Sequence, residues 1–477
     1  MMPEESLISS TSWQSPARPR RPLRGRLVIQ SQPLRDQCKE ERGGRHRAAT
    51  TGRAGVLVRH RREIAIVGAG IAGLASAILL ARRGHRVVVY ERFAAVQPLG
   101  SGLMMQPTGL AALARLGLRR DLEALGHRIR RLHGLTRRGT TVFDLAYTDL
   151  APDLHALAVH RASLHGVLWG GFAGSGAALE LAREIVATEP GADGRTALVD
   201  AQGRRTPAAN LVIDASGARS PMRAAITARA PRPFRYGAVW ATVPDRGLAD
   251  GMLAQRYDAA RVMIGYLPLG RIAAVDAPCA ALFWSLKPET HDAWRNGFET
   301  WREGAARLWP QLEPVLAGLS GPEDFTLARY AHFTAPAAAR GNIVLVGDSG
   351  HVTSPQLGQG ANQGLIDAVV LADCLEAGED LPAALRHYQR LRRRHVHFYQ
   401  YASALMTPFF QSDSAALALL RDLSFRHFKR VPYLRREMVR MLAGLKTGLF
   451  SAASPEAIVN CCPADPDRPH VLARPHG

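Results

Sequence analysis

The sequence predicts an α/β fold: a Rossmann-like domain carrying a GxGxxG turn, an inserted mixed β-sheet domain, and a C-terminal helical segment. Three observations predict it. A short apolar strand runs into Gly68, Gly70 and Gly73 and then into a helix. A second strand, glycine cluster and helix, "GDSGHVTSPQLGQGANQG" at residues 347–364, follows far along the chain. Between them lie β-branched and aromatic runs, and after them Arg-rich stretches of near-helical spacing.

At 477 residues the chain is too long for one small domain and long enough to bury a sizeable core. The expected division is an extension at 1–62, a first part of the nucleotide-binding domain at 63–231, a substrate sheet at 232–335, a second nucleotide-binding part at 336–375, a helical region at 376–452 and a loose tail at 453–477. Hydrophobic residues make up 47% and charged ones 21%, which fits a soluble globular protein.

The formal charge of +20 would suit a nucleic-acid or membrane-surface partner, so its location decides its meaning. Residues 1–62 hold 13 Arg and one Lys against five acids, a balance of +9, which leaves +11 for the rest. That segment is rich in Pro, Gly, Ser and Arg, lacks a sustained apolar period, and is expected to be disordered. It has no apolar secretory core. Arg outnumbers Lys 57 to 4 across the chain, a bias of GC-rich coding more than of a selected polycation, so no nucleic-acid partner is expected. Five cysteines, at 38, 279, 374, 461 and 462, form no CxxC and no zinc-like cluster, which suggests a reducing cytoplasm and no metal. No apolar run reaches the roughly 18 residues of a bilayer span.

The folded region opens at "EIAIVGAGIAGLASAILLARRGHRVVVYER", residues 63–92. Ile64 to Val67 suits a buried parallel strand. Gly68 permits the tight turn, Gly70 lets backbone approach a pyrophosphate, and Gly73 lets the helix lie against the sheet. The helix is expected to run to about Arg83 with Gly84 as its stop. A second strand, Arg86 to Tyr90, ends at Glu91, where a carboxylate can accept from a ribose diol. An adenine dinucleotide follows; NAD and FAD both satisfy this motif.

Three further segments follow in order: "LGSGLMMQPTGLAALARLGL" at 99–118, with Gly102 before a strand-like turn and a helix; "AVHRASLHGVLW" at 158–169, with Arg161 at a helix start; and "NLVIDASGARSPMR" at 210–223. With the 347–364 stretch they resemble the flavoprotein aromatic hydroxylases of the p-hydroxybenzoate hydroxylase type, the single-component class A monooxygenases, over residues 63 to about 375. The resemblance implies FAD, bound by Gly68, Gly70, Gly73 and Gly102, with Glu91 and Arg92 on the adenosine half and Arg161 at the flavin chain or pyrophosphate. It makes Gly347 and Asp348 the family's GD pair, whose acid binds a ribityl hydroxyl. Pro355, Gly358, Gly360 and Ala361 match its loop under the flavin pyrimidine edge. It also implies NADH or NADPH as a transient electron donor, O2 adding at flavin C4a, and hydroxylation of an aromatic or electron-rich apolar small molecule. No catalytic base is assigned.

Elementary chemistry agrees with these placements. A carboxylate at a strand end can accept hydrogen bonds from a polyol. Glycines at 358 and 360 let N–H groups reach a ring oxygen, and the helix beyond presents its positive end to a reduced, anionic flavin. One departure from the family is Ser216-Gly217 in place of Asp-Gly, an acid tied there to flavin and reduced-nicotinamide binding. The serine form favours, as an alternative, an FAD-dependent reductase of the geranylgeranyl-reductase kind. A more distant alternative is a nucleic-acid-binding protein acting through the Arg-rich arm.

Tyr236, Trp240, Tyr257, Tyr266, Trp284, Tyr330 and His332 are the aromatic candidates for a substrate pocket on the 232–335 sheet. The C-terminal region is expected to form a helical layer capping that sheet; its basic amphipathic surface is also compatible with peripheral contact with anionic lipid.

Overall fold

The computed structural model of the chain describes residues 61–95, 101–272, 275–377, 380–428 and 431–460. The readings placed on residues 1–60 and 461–477, including the Arg-rich arm, lie outside the described residues.

Ile64 to Val67 are all buried, as a central parallel strand requires. The strand Glu63–Val67 lies in a six-stranded sheet of order Ala339–Arg340, Ile343–Leu345, Leu211–Asp214, Glu63–Val67, Arg86–Tyr90, Ala178–Glu180. Only the first pair is antiparallel. Val67 lies opposite Asp214, and Asp214 opposite Leu345, so three carboxyl ends finish side by side. Open α/β sheets bind their ligands at that edge.

The helix Ile71–Arg82 leaves the first strand with Gly73 to Leu80 buried, and stops at Gly84, which has φ +88°. The helix Gly360–Glu376 packs along it. A Cβ at Gly347 or at Gly364 would stand 3.2 Å from the Ala72 Cβ, so the two glycine clusters, remote in sequence, meet over one alanine.

A seven-stranded mixed sheet covers this domain, in the order Phe325–Ala328, Gly237–Pro244, Val275–Leu286, Val262–Ile272, Met252–Asp258, Arg131–Thr136, Thr141–Ala146. Its last two strands come from outside 232–335. The hairpin at 131–146 precedes residues 232–335 in sequence and joins their sheet in space. Side chains alternate across the sheet. Trp240, Leu267 and Phe283 face the main core shared with the nucleotide-binding domain; Val239, Ile264, Tyr266 and Leu282 pack with Trp301 of the helix Phe298–Leu308 on the other side.

The C-terminal chain forms the helices Leu381–Phe410, Ala415–Phe428, Pro432–Leu442 and Pro455–Val459. Asp380 caps the first, accepting from the Ala383 N–H at 2.6 Å. Arg421 is wholly buried; it donates to the carbonyls of Ala259 and Phe409, both at 3.1 Å, and lies 4.8 Å over the Tyr257 ring, fastening this layer to the sheet. Among the described residues no helix is long and apolar enough to cross a membrane.

Candidate functional site

The first glycine turn separates three jobs. Gly68 takes φ +100°, and a Cβ there would lie 2.7 Å from the Ala215 carbonyl oxygen. At Gly73 a Cβ would fall 1.9 Å from the Gly68 carbonyl oxygen, so any side chain would push the helix off the turn. Gly70, the helix N-cap, has an ordinary φ of −78° and nothing within 4 Å of its Cβ position. The unpaired N–H groups of the first helical turn therefore face open space, a fit for a phosphate.

Glu91 is buried against this turn. Its Oε2 accepts from the Ala69 N–H at 2.7 Å and its Oε1 from the Phe93 N–H at 3.2 Å, which leaves lone pairs for a diol. Arg92 is exposed, with its guanidinium 4.5 Å over the Phe93 ring. The acid reaches the turn; the arginine stays at the rim.

In the second cluster Gly347 takes φ +61° and Asp348 follows it. The Asp348 side chain is exposed to solvent, as a carboxylate lining a cleft must be. Desolvation pushes its carboxyl up. The charges of His351, Arg161 and Arg223 pull it down, and Asp367 pushes it up again. Pro355 opens a single turn, Gly358 closes it at φ +59°, and Gly360 starts the helix whose first turn includes Ala361. The nearest atom to a Cβ at Gly360 would be the Asp348 Oδ1, at 4.0 Å. The helix N-terminus and the carboxylate thus front the same cleft.

Arg161 begins the helix Arg161–Ala173, its N–H bonded to the Ser101 carbonyl at 3.0 Å, near enough to Asp348 to act on its charge. Gly102 has a packing reason. A Cβ there would meet Leu269 Cδ2 at 2.6 Å and Ala281 Cβ at 2.9 Å, so its smallness seats the strand Gly102–Met105 on the seven-stranded sheet.

Sequence reasoning missed four residues. Asn362 is buried; its Oδ1 accepts from the Gln106 N–H at 2.8 Å and its Nδ2 donates to the carbonyls of Met104 (3.1 Å) and Gly358 (2.7 Å). It pins the second loop to a strand over 250 positions away. Gln106 is buried, its Oε1 accepting from the Tyr147 hydroxyl at 2.5 Å, and its Nε2 has no partner among the described residues. That nitrogen would lie 3.3 Å from a Cβ on Gly358. Asp367 accepts from the Gly347 N–H at 2.7 Å. Asp214, at the end of the middle strand, accepts from the Ser216 hydroxyl at 2.6 Å and from Ser220. The step from glycine cluster to "GxN" could have flagged Asn362, and its place at a strand end could have flagged Asp214; Gln106 and Asp367 carry no local signal.

The aromatic candidates separate by face. Tyr266 and Trp284 belong to the far-side core, and Tyr257 is wholly buried beside Phe143 and Arg421. Tyr236 donates to Asp413 at 2.8 Å, and His332 packs edge-on against Phe234. Trp240 and Tyr330 remain. Both are half-buried; the Trp240 indole N–H donates to the Tyr330 hydroxyl at 2.9 Å, and its ring centre lies 4.5 Å from that of Phe283.

These features fit one dinucleotide spanning two loops: an open helix N-terminus for phosphate, acids for two polyols, and a second N-terminus for a ring edge. The FAD binding domain family model matches residues 61–399. The 3-amino-4-hydroxybenzoate 2-monooxygenase of Streptomyces cremeus is 32% identical over 341 residues, covering 69% of this chain and 83% of that protein. The aurachin C monooxygenase/isomerase of Stigmatella aurantiaca is 28% identical, covering 69% and 84%. In fold, the chain is similar to Klebsiella pneumoniae HpxO complexed with FAD and uric acid, with a TM-score of 0.68 at 22% identity over 82% of this chain and 98% of that one. The chain belongs to the FAD binding domain family and, within it, to the single-component flavoprotein monooxygenases that act on aromatic or other electron-rich small molecules.

Proposed function

We propose that this chain hydroxylates an aromatic ring bearing hydroxyl or amino groups, held against the Trp240 and Phe283 face of the seven-stranded sheet, with NADH or NADPH as electron donor. The observation that carries it is the meeting of Gly347 and Gly364 with Ala72, which brings the two glycine clusters together. Bound FAD supplies the redox step with the nicotinamide and the activation of O2; the chain supplies binding, orientation and a screened site.

In this reading the N–H groups after Gly70 meet the pyrophosphate, Arg161 offsets its charge, and Glu91 accepts from the adenosine ribose. Arg92 covers the adenosine from the rim. Asp348 accepts from the ribityl chain. The N–H groups of Gly360 and Ala361, at the positive end of a buried helix, favour negative charge on the pyrimidine edge of the ring. Pro355 and Gly358 set the loop that aims them. The unpartnered Gln106 Nε2 is a donor poised at that loop. Trp240, backed by the buried Phe283, offers the substrate an apolar stacking wall, and Tyr330, which already accepts from Trp240, keeps its own proton to donate to a ring oxygen or nitrogen. Relatives named for aminohydroxybenzoate, urate and kynurenine oxidation work on rings of this class.

The test is anaerobic flavin reduction by NADH and by NADPH, each with and without a panel of phenols, anilines and quinolones, followed by a pulse of labelled O2. The expected outcome is faster NAD(P)H oxidation with one class of ring and a product heavier by one labelled oxygen. Product formed without O2, or oxidation that no ring accelerates, would overturn the reading.

A further inference from the structure

Nine of the twelve large apolar side chains that stand exposed among the described residues lie between 401 and 450. They are ordered. On the helix Leu381–Phe410 the exposed positions 386, 390, 394, 401 and 405 fall on one stripe, reading Arg, Arg, Arg, Tyr, Leu. On the helix Ala415–Phe428 the exposed positions are Ala415, Ala416, Leu419, Leu420, Leu423 and His427, with the half-buried Asp422, paired to Arg421, at their edge. That helix touches both Leu381–Phe410 and Pro432–Leu442. Phe450, in the following turn, is 89% exposed.

The charge on the long helix of this face is of one sign. The 30-residue helix Leu381–Phe410 contains no Asp or Glu. Arg386, Arg390, Arg393 and Arg394 pair with no carboxylate among the described residues, in contrast to the buried Arg392, which is bound to Asp367. A globular surface usually intersperses the two signs. Here an uncompensated cationic row continues into tyrosine and leucine.

Few occupants satisfy both halves. A second copy docked by a two-fold axis could cover the leucine stripe, but its own long helix would bring no carboxylate to the arginine row. The extension at 1–62, with its balance of +9, carries the same sign. An anionic bilayer meets both requirements, with phosphate headgroups opposite the arginines and the acyl boundary opposite Tyr401, Leu405 and the Leu419–Leu423 stripe. We propose that the helices Leu381–Phe410 and Ala415–Phe428 form a docking face for an anionic lipid surface, on which the enzyme rests without spanning the bilayer. This inference does not depend on the substrate reading.

The test is sedimentation of the full, FAD-loaded chain with vesicles of phosphatidylcholine alone and of phosphatidylcholine with about one third phosphatidylglycerol. Binding is expected only to the second, released by salt as surface charge is screened. Leu419→Gln/Leu423→Gln and Arg390→Glu/Arg394→Glu should each weaken it about tenfold or more, with flavin content and melting temperature unchanged. Absence of binding by the unaltered chain overturns the proposal. So does binding that both variants retain, which would assign it to the Arg-rich extension. A dimer that ignores vesicles and is broken by the leucine variant would make the face an interface between copies, and also overturns it.

Discussion

Asp367 and Arg392 form a buried ion pair between the helices Gly360–Glu376 and Leu381–Phe410, with the Arg392 Nε donating to the Asp367 Oδ1 at 2.7 Å. The other carboxylate oxygen accepts from the Gly347 N–H at 2.7 Å and from the His351 Nε2 at 2.6 Å. One side chain thus holds the start of the GD turn, a histidine of the same loop, and the C-terminal helical layer.

Replacing Asp367 by Asn should cost about 3–5 kcal/mol, because Arg392 would stay buried without its partner. The amide also loosens Gly347, so FAD affinity should fall beyond what stability explains. Urea unfolding of the apoprotein and flavin titration of the folded variant check the two effects separately. Unchanged FAD affinity would show that Asp367 serves the core alone.

His395 extends the same network and makes it sensitive to pH. The Arg392 Nη1 donates to the His395 Nδ1 at 2.9 Å, and the Nε2–H reaches the Gly444 carbonyl at 2.8 Å, so the ring is neutral. Burial first, and then the Arg392 charge, push its pKa down to about 3. An unfolded histidine titrates near 6.5, so between these values the unfolded chain binds the extra proton. Stability is therefore complete above about 6.5 and falls as the pH drops toward 3, with a slope from this residue approaching about 1.4 kcal/mol per pH unit. Asp367, whose carboxyl is held well below its ordinary range by His351 and Arg392 despite burial, adds a loss only once the pH falls below about 4. His160, His291, His332 and His397 are also lowered, chiefly by burial, and add to the total slope. The difference between the unaltered chain and His395→Gln isolates one residue. Denaturant midpoints from pH 7 to 4.5 should fall more gently in the variant.

The parts of this site that were legible in the sequence are those whose reason is local. Gly68, Gly70, Gly73 and Glu91 lie within 24 residues, and each answers to a turn, a helix start or a strand end. The loop at 355–361 was legible for the same reason. Asp367 and Gln106 were not, since each acts through a partner brought close only by the fold, Arg392 and Tyr147; Asn362 is marked by its "GxN" step, but its contacts with residues 104 and 106 are not. The apolar residues of the helix Gly360–Glu376 suggest burial, but they could not show that it is enclosed on every side from Asn362 to Ala372, with Asp367 buried and charged among them. Likewise the strands at 131–146 carry too few β-branched residues to announce the sheet that they join.

Gly70 and Gly73 give opposite expectations under one substitution. Gly73→Ala drives a methyl into the Gly68 carbonyl and should destabilise the apoprotein by about 1–3 kcal/mol, the range for overpacking. Gly70→Ala meets open space at an ordinary φ, so the apoprotein should melt within about 0.5 kcal/mol of the unaltered chain. Its methyl nevertheless stands before the helix N-terminus, and FAD affinity should drop by about tenfold or more. Thermal melting without flavin, set beside flavin titration, tests both. Equal effects of the two alanines on melting would contradict the division of roles.

Ser216 stands where the related hydroxylases have an acid, and the structure gives it a partner that explains the serine. Asp214 is fully buried, and burial pushes its carboxyl up; the hydroxyls of Ser216 and Ser220, with the N–H of Ser216 at 3.0 Å, hold the charge, with Arg223 nearby. The carboxylate at this strand end therefore lies two residues before the family position. Ser216→Asp would face one acid with another and remove a donor, at a cost of about 1–3 kcal/mol. Asp214→Ser combined with Ser216→Asp moves the acid to the family position without pairing it, and should recover most of that loss. A coupling above about 0.5 kcal/mol in the double-mutant cycle is the expected sign that the two positions share one charge. Rates of flavin reduction by NADH and NADPH, measured on the same set, then show whether the acid acts on the nicotinamide from position 214 or only from 216. Additive stabilities would mean that the serine is not fitted to Asp214.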